Sequence, residues 1–203
     1  MTSTALRSRG AISRRAAWIL TLSPLLFVLW LLAVVATLSG SGVTDSADLS
    51  VAQMDAIRTG WRLIWPVYAA AIIVGSAAMM LLRLSLAARV ASAVSIVAAL
   101  ANLVLSELAA GFTEPRLGDN GYFTASLVAS YAAIWAALVA LIVTGVVLRR
   151  TGMLRRTGLV IAVLAGLFLV LDVVTRGLPP FIVAPLWLAV GIALLRRRVT
   201  SPA

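Results

Sequence analysis

A chain of 203 residues that is 62% hydrophobic and only 12% charged lies well above the ~45–50% apolar share of soluble domains, and its mean hydropathy of +1.07 makes lipid its natural solvent. Seventeen basic against seven acidic residues give a net charge of +10, a balance that would suit nucleic acid on a soluble surface, but the positions of the Arg residues along the chain exclude that partner. Cys and His are absent, which excludes disulfides, thiol nucleophiles, Ser–His pairs and the usual haem or zinc ligand sets.

Six apolar runs follow in chain order, at approximately residues 18–38, 63–82, 90–108, 123–148, 158–176 and 179–195. A spanning helix needs roughly 20 residues. The first four fit; the last two are short and must borrow flanking residues or thin the bilayer locally. The basic stretch LRSRGAISRR before the first run also resembles the start of a secretory signal. Signal cores are only about 7–15 residues long and end at a small-x-small cleavage site. This run is longer and ends VVATLSGSG without a clean site, so it reads as span 1.

Between spans 1 and 2, Ser50 and Gln53 have capping-box spacing, and Val51, Met54, Trp61 and Trp65 recur near the helical period. A short amphipathic helix on the outer surface is expected there, leading into span 2, with Asp55 and Arg58 placed to pair. Asp45 and Asp48 read as part of a solvated loop, and no metal or cofactor is expected. Helices in lipid associate through small residues and hydrogen bonds. Ala71, Gly75 and Ala78 form such a seam in span 2. In span 3 it is Ser92, Ser95, Ala99, Asn102 and Ser106. The loop EPRLGDNGY then reads as turns, with Gly121 free to take a positive φ.

Span 4 repeats the seam with Ser126, Ser130, Ala133, Ala137, Ala140 and Thr144, while Trp135 should pack between helices. RRTGMLRRTG makes the turn into span 5, where Gly158, Ala162, Ala165, Leu169, Asp172 and Arg176 step along one face. Pro24 and Pro185 are kink candidates, and Pro66 lies near the start of span 2, where Pro is tolerated. Trp61, Trp65, Tyr68 and Tyr122 suit the outer membrane interface, and Trp18 the inner one.

The fold class is therefore all-α: a polytopic bundle of six transmembrane helices, one integral membrane domain over residues 1–203. Six spans place thirteen Arg on the side of the termini with no acid among them, and Arg58, Arg62, Arg116 and Arg176 with all seven acids on the other. Arg-rich short loops mark the cytoplasm, so both termini are expected to be cytoplasmic. Expected partners are the bilayer itself, anionic lipid headgroups at the cytoplasmic Arg clusters, and a membrane-protein partner or further copies of the chain, with no nucleic acid.

The candidate site is a polar cluster. Asp172 interrupts an apolar stretch, Arg176 lies four residues later in the favourable order for a pair, and Asn102 and Glu107 lie near the same outer end of span 3. An ionisable group inside a membrane is a functional hypothesis by default. An Asp172–Arg176 pair pinning the helix is the structural alternative. No catalytic constellation is present: the paired-Asp pattern of intramembrane aspartyl proteases, the Asp clusters of membrane prenyl- and phosphatidyl-transferases and a phosphate-cradling Gly loop are all missing.

In LRRTGMLRRTGLVIAVLAGLFLVLDVVTRGLPPFIVAPLWLAVGIALLRRR, the residues Arg156, Gly158, Pro179, Pro180, Trp187, Leu188 and Gly191 set a pattern. A basic loop and Gly open one helix, and a Pro-rich turn leads to a Trp-Leu…Gly helix ending in Arg. The segment resembles uncharacterised six-helix membrane proteins of bacteria with high-GC genomes. That resemblance implies a bacterial plasma membrane and a helical bundle, and it carries no activity. Two functions are expected to compete: a non-catalytic accessory, sensor or scaffold component, and a small transporter or channel using the cluster around Asp172.

Overall fold

In hydrocarbon a backbone N–H finds no water, so an apolar run must close its hydrogen bonds within itself, and each apolar run of this chain is helical. The computed structural model describes residues 14–39, 42, 45–175 and 178–199, with side chains described up to residue 196. The helices are α1 (Arg14–Leu22), α2 (Pro24–Leu38), α3 (Val51–Leu81), α4 (Leu86–Ala109), α5 (Gly121–Arg150), α6 (Arg155–Thr175) and α7 (Val183–Val199). No strand occurs among the described residues. Among the described residues, five stretches are long and apolar enough to cross a membrane, α1 and α2 counting together as one. The sixth, α7, has 17 residues, about 26 Å of helix against a hydrocarbon layer of ~30 Å.

Consecutive long helices run antiparallel and side by side. Ser76 on α3 meets Ser95 on α4, and Trp61 meets Ser106 nearer the other end. Ser95 and Asn102 on α4 reach Ala133 and Ser126 on α5. On α6, Gly158 and Asp172 pair with Gly145 and Trp135 of α5. The last helix breaks this sequence order: α7 packs mainly on α1 and only lightly on its neighbour α6. Gly191 closes on Ala17 and Thr21, and Trp187 fills the space over Gly75 of α3.

The small-residue seams are the buried faces. Ser92, Ser95, Ala99, Asn102 and Ser106 are fully buried along α4, as are Ala71 and Ala78 on α3. On α5, Ser126, Ala133, Ala137, Ala140 and Thr144 are buried, and Ser130 is half-buried. Val, Leu and Ile dominate the opposite faces, including Val160, Val163, Val170 and Val174 on α6. Small side chains let backbones approach where no hydrophobic force drives helices together. The α5 and α6 backbones approach closely, so that a Cβ on Gly145 would lie 2.5 Å from the Gly158 carbonyl oxygen.

Three local expectations need correction. The separate outer helix before span 2 does not exist: the Ser50–Gln53 capping box is formed, but it opens α3 itself, which runs unbroken for 31 residues through Pro66. Pro66 lacks only its own N–H, and the turns on both sides hold. Pro185 falls in the first turn of α7, where helix N–H groups have no intrahelical partner anyway, so it is no kink. Pro24 does interrupt its span, following a break at Ser23, whose hydroxyl donates to the Leu20 carbonyl at 3.1 Å. Gly121 does not take a positive φ; it is the first residue of α5 behind an Asn120 cap.

At about 46 and 45 Å, α3 (31 residues) and α5 (30 residues) are both longer than the hydrocarbon is thick. The excess carries a packed cap at the acidic end. Leu49, Met54, Trp61, Phe112, Leu117 and Phe123 form a second small core, and the Leu117 N–H donates to the Leu49 carbonyl at 2.9 Å. Arg116 reaches Asp48 at 3.3 Å across the two loops, and Asp55 pairs with Arg58. Trp61 and Tyr68 are therefore not interface anchors. They are buried, Trp61 donating to the Ser106 carbonyl at 3.3 Å and Tyr68 sharing a 2.8 Å hydrogen bond with the Ser130 hydroxyl. Trp18 and Tyr122 are exposed at opposite ends of the bundle.

Candidate functional site

Asp172 lies one turn from the end of α6 and is completely buried. Its Oδ2 accepts from the indole N–H of Trp135 at 2.9 Å, and its Oδ1 accepts from the backbone N–H of Leu178 at 3.2 Å. One carboxylate thus ties α6 to the middle of α5 and fixes the chain just beyond the helix. Trp135 stacks obliquely on Tyr131, ring centroids 6.0 Å apart. Arg176, the partner expected from sequence, lies outside the described residues.

Asn102 and Glu107 are elsewhere. The Asn102 amide donates to the Ser126 carbonyl at 2.8 Å. Ser126 and Trp135 are nine residues apart on α5, about 180° around a helix turning 100° per residue, so Asn102 and Asp172 engage opposite faces of α5. Glu107 is partly exposed at the cap, its Oε2 3.7 Å from Arg62 Nε, a separation that adds little at a wet surface. The three described candidates do not form one cluster: Asp172 belongs to the α5–α6 seam, Asn102 to the α4–α5 seam and Glu107 to the rim.

The seam between α3, α4 and α5 holds several further buried polar groups. Ser76 donates to Ser95, and Ser95 to the Ala133 carbonyl, at 3.1 and 2.7 Å. Asn102 Oδ1 and the hydroxyls of Ser92 and Ser106 are buried without a hydrogen-bond partner. Outside the membrane, Glu114 is held below the usual carboxylate range, first by backbone N–H donation at Glu114 itself and then by the Asn120 amide and the Thr113 N–H. Asn120 donates to both Glu114 oxygens at 3.1 and 3.2 Å, while its own Oδ1 caps α5 at Phe123. Asp45 caps the short turn Ser46–Asp48.

Sequence reasoning missed Trp135 as the partner of Asp172. A usable signal existed, because a carboxylate buried in a helix bundle needs donors, and the Trp135 indole N–H is one on the adjacent antiparallel helix. Thirty-seven residues separate the two, so no spacing rule within one helix links them. No protein family, characterised protein or solved structure shows a significant match to this chain.

Proposed function

We propose that this protein is a non-catalytic component of a membrane assembly, an accessory, sensor or scaffold subunit of the bacterial plasma membrane with both termini in the cytoplasm. One observation carries the reading: the sole carboxylate buried within the bundle among the described residues has both oxygens engaged by structural donors at a helix end. A group so used is an anchor. The packed cap, raised beyond the hydrocarbon on α3 and α5, offers a rigid surface to a partner. Orientation rests on the Arg asymmetry, and the bacterial membrane on the resemblance in the last two spans.

A small transporter or channel is the second reading, favoured by the unpartnered Asn102 Oδ1 and Ser106 hydroxyl one turn apart on the buried face of α4. Cross-linking in native membranes, run beside ion and solute flux in proteoliposomes, separates the two. The accessory reading expects one specific cross-linked partner and no flux above empty vesicles. Flux that Asp172→Asn abolishes in a folded protein refutes it, and flux lost on Asn102→Leu but not on Asp172→Asn establishes the second reading.

A further inference from the structure

The Arg-rich end of the bundle holds a cavity of about 630 Å³ in the turn between α5 and α6, lined by Val146, Arg149, Arg150, Gly152 and Arg155. The turn is built to expose it. Gly152 takes φ +69°, its N–H closing on the Arg149 carbonyl at 3.1 Å, and open space surrounds the position a Cβ would fill. Three Arg residues therefore line one opening, and none is paired with a described residue. Concentrating three like charges without a counter-ion costs Coulomb energy, and a multivalent anion removes that cost. Guanidinium forks match phosphate oxygens in pairs.

The surroundings point to a phosphate carried by a lipid. Arg149 directly follows the apolar end of α5, at the level where headgroups begin. Val146, on the wall of the cavity, shares a face of α5 with Val139 two turns deeper, and Val139 is exposed. An apolar track thus leads from the charged opening into the hydrocarbon. We propose that this cavity is a specific site for the phosphate headgroup of an anionic phospholipid, with one acyl chain along the Val146–Val139 face. The site discriminates among the Arg residues: Arg149, Arg150 and Arg155 hold the headgroup, whereas Arg14, Arg83 and Arg89 only raise the general surface potential. It is independent of the accessory reading.

Native mass spectrometry of the full chain, released from nanodiscs of phosphatidylcholine with phosphatidylglycerol, tests this. The wild type should retain one phosphatidylglycerol per chain. The triple variant Arg149→Gln, Arg150→Gln, Arg155→Gln should lose at least about 10-fold in apparent affinity, since even one charge-assisted hydrogen bond to a phosphate is worth ~1.5 kcal/mol. The charge-matched variant Arg14→Gln, Arg83→Gln, Arg89→Gln should change it less than about 3-fold, with both variants folded by circular dichroism. Equal losses in the two variants, or none in the first, overturn the proposal. Displacement of the lipid by millimolar pyrophosphate that remains bound to the chain makes the site one for a soluble phosphate and overturns the lipid assignment.

Discussion

Removing the Asp172 carboxylate separates an anchor from an incidental buried acid. Asp172→Ala leaves two donors, the Trp135 indole N–H and the Leu178 backbone N–H, without the buried carboxylate that accepts from them. Each such donor left unpaired costs about 1–3 kcal/mol when fully buried, so the variant should lose up to about 2–6 kcal/mol. Trp135→Phe keeps a ring and removes one donor, and should lose about 1 kcal/mol. Interhelical hydrogen bonds in membranes average about 0.6 kcal/mol and reach about 1.7. The double variant should therefore be more stable than the sum of the single losses implies, by about 0.6–1.7 kcal/mol. Asp172→Asn keeps one acceptor oxygen and should fall between wild type and Asp172→Ala. The measurement is reversible unfolding in mixed micelles on titration with dodecyl sulfate, followed by far-ultraviolet circular dichroism. A coupling within about 0.3 kcal/mol of zero, the additivity limit for independent sites, would refute the Asp172–Trp135 tie and with it the anchor.

Gly145→Ala places a methyl 2.5 Å from the Gly158 carbonyl oxygen and 2.8 Å from the Ala162 nitrogen; neither backbone can yield locally, so the same assay should show a loss of at least ~1–3 kcal/mol. Gly75→Ala meets the ring of Trp187 instead, and because a side chain can be shortened, Trp187→Leu should recover part of the loss, whereas no recovery would place α7 differently. Ser50→Ala removes the acceptor that caps α3; hydrogen exchange in the first turn of α3 should speed up by about 5-fold, matching the ~1 kcal/mol of such caps. Glu114 titrates below its unfolded value, so its support of the cap is complete above the ordinary carboxylate range and is lost as pH falls through the lowered value. Carbon-13 NMR of Glu114 should show that low midpoint, and Asn120→Ala should raise it.

Much of the architecture is written in local pattern. An uninterrupted apolar run of about 20 residues satisfies its backbone in lipid as a helix, so run length located the spans, and the three- and four-residue steps of Ser, Ala and Gly identified the buried faces of α3, α4 and α5. The Ser50–Gln53 capping box was legible because both partners lie within one turn. The tertiary structure decided what depends on residues far apart in the chain. The loops cohere into a cap only because Leu49 meets Leu117, which lets α3 continue outward as one helix. The last helix abandons its neighbour for α1, since Gly191 and Gly75 offer close approaches at the right depth. Asn102, Glu107 and Asp172 share an end of the bundle by sequence, but Asn102 and Asp172 engage opposite faces of α5 while Glu107 stays at the rim beside Arg62. Depth follows from counting residues along one helix, whereas which side chains face each other depends on how neighbouring helices are rotated and offset, and only packing fixes that.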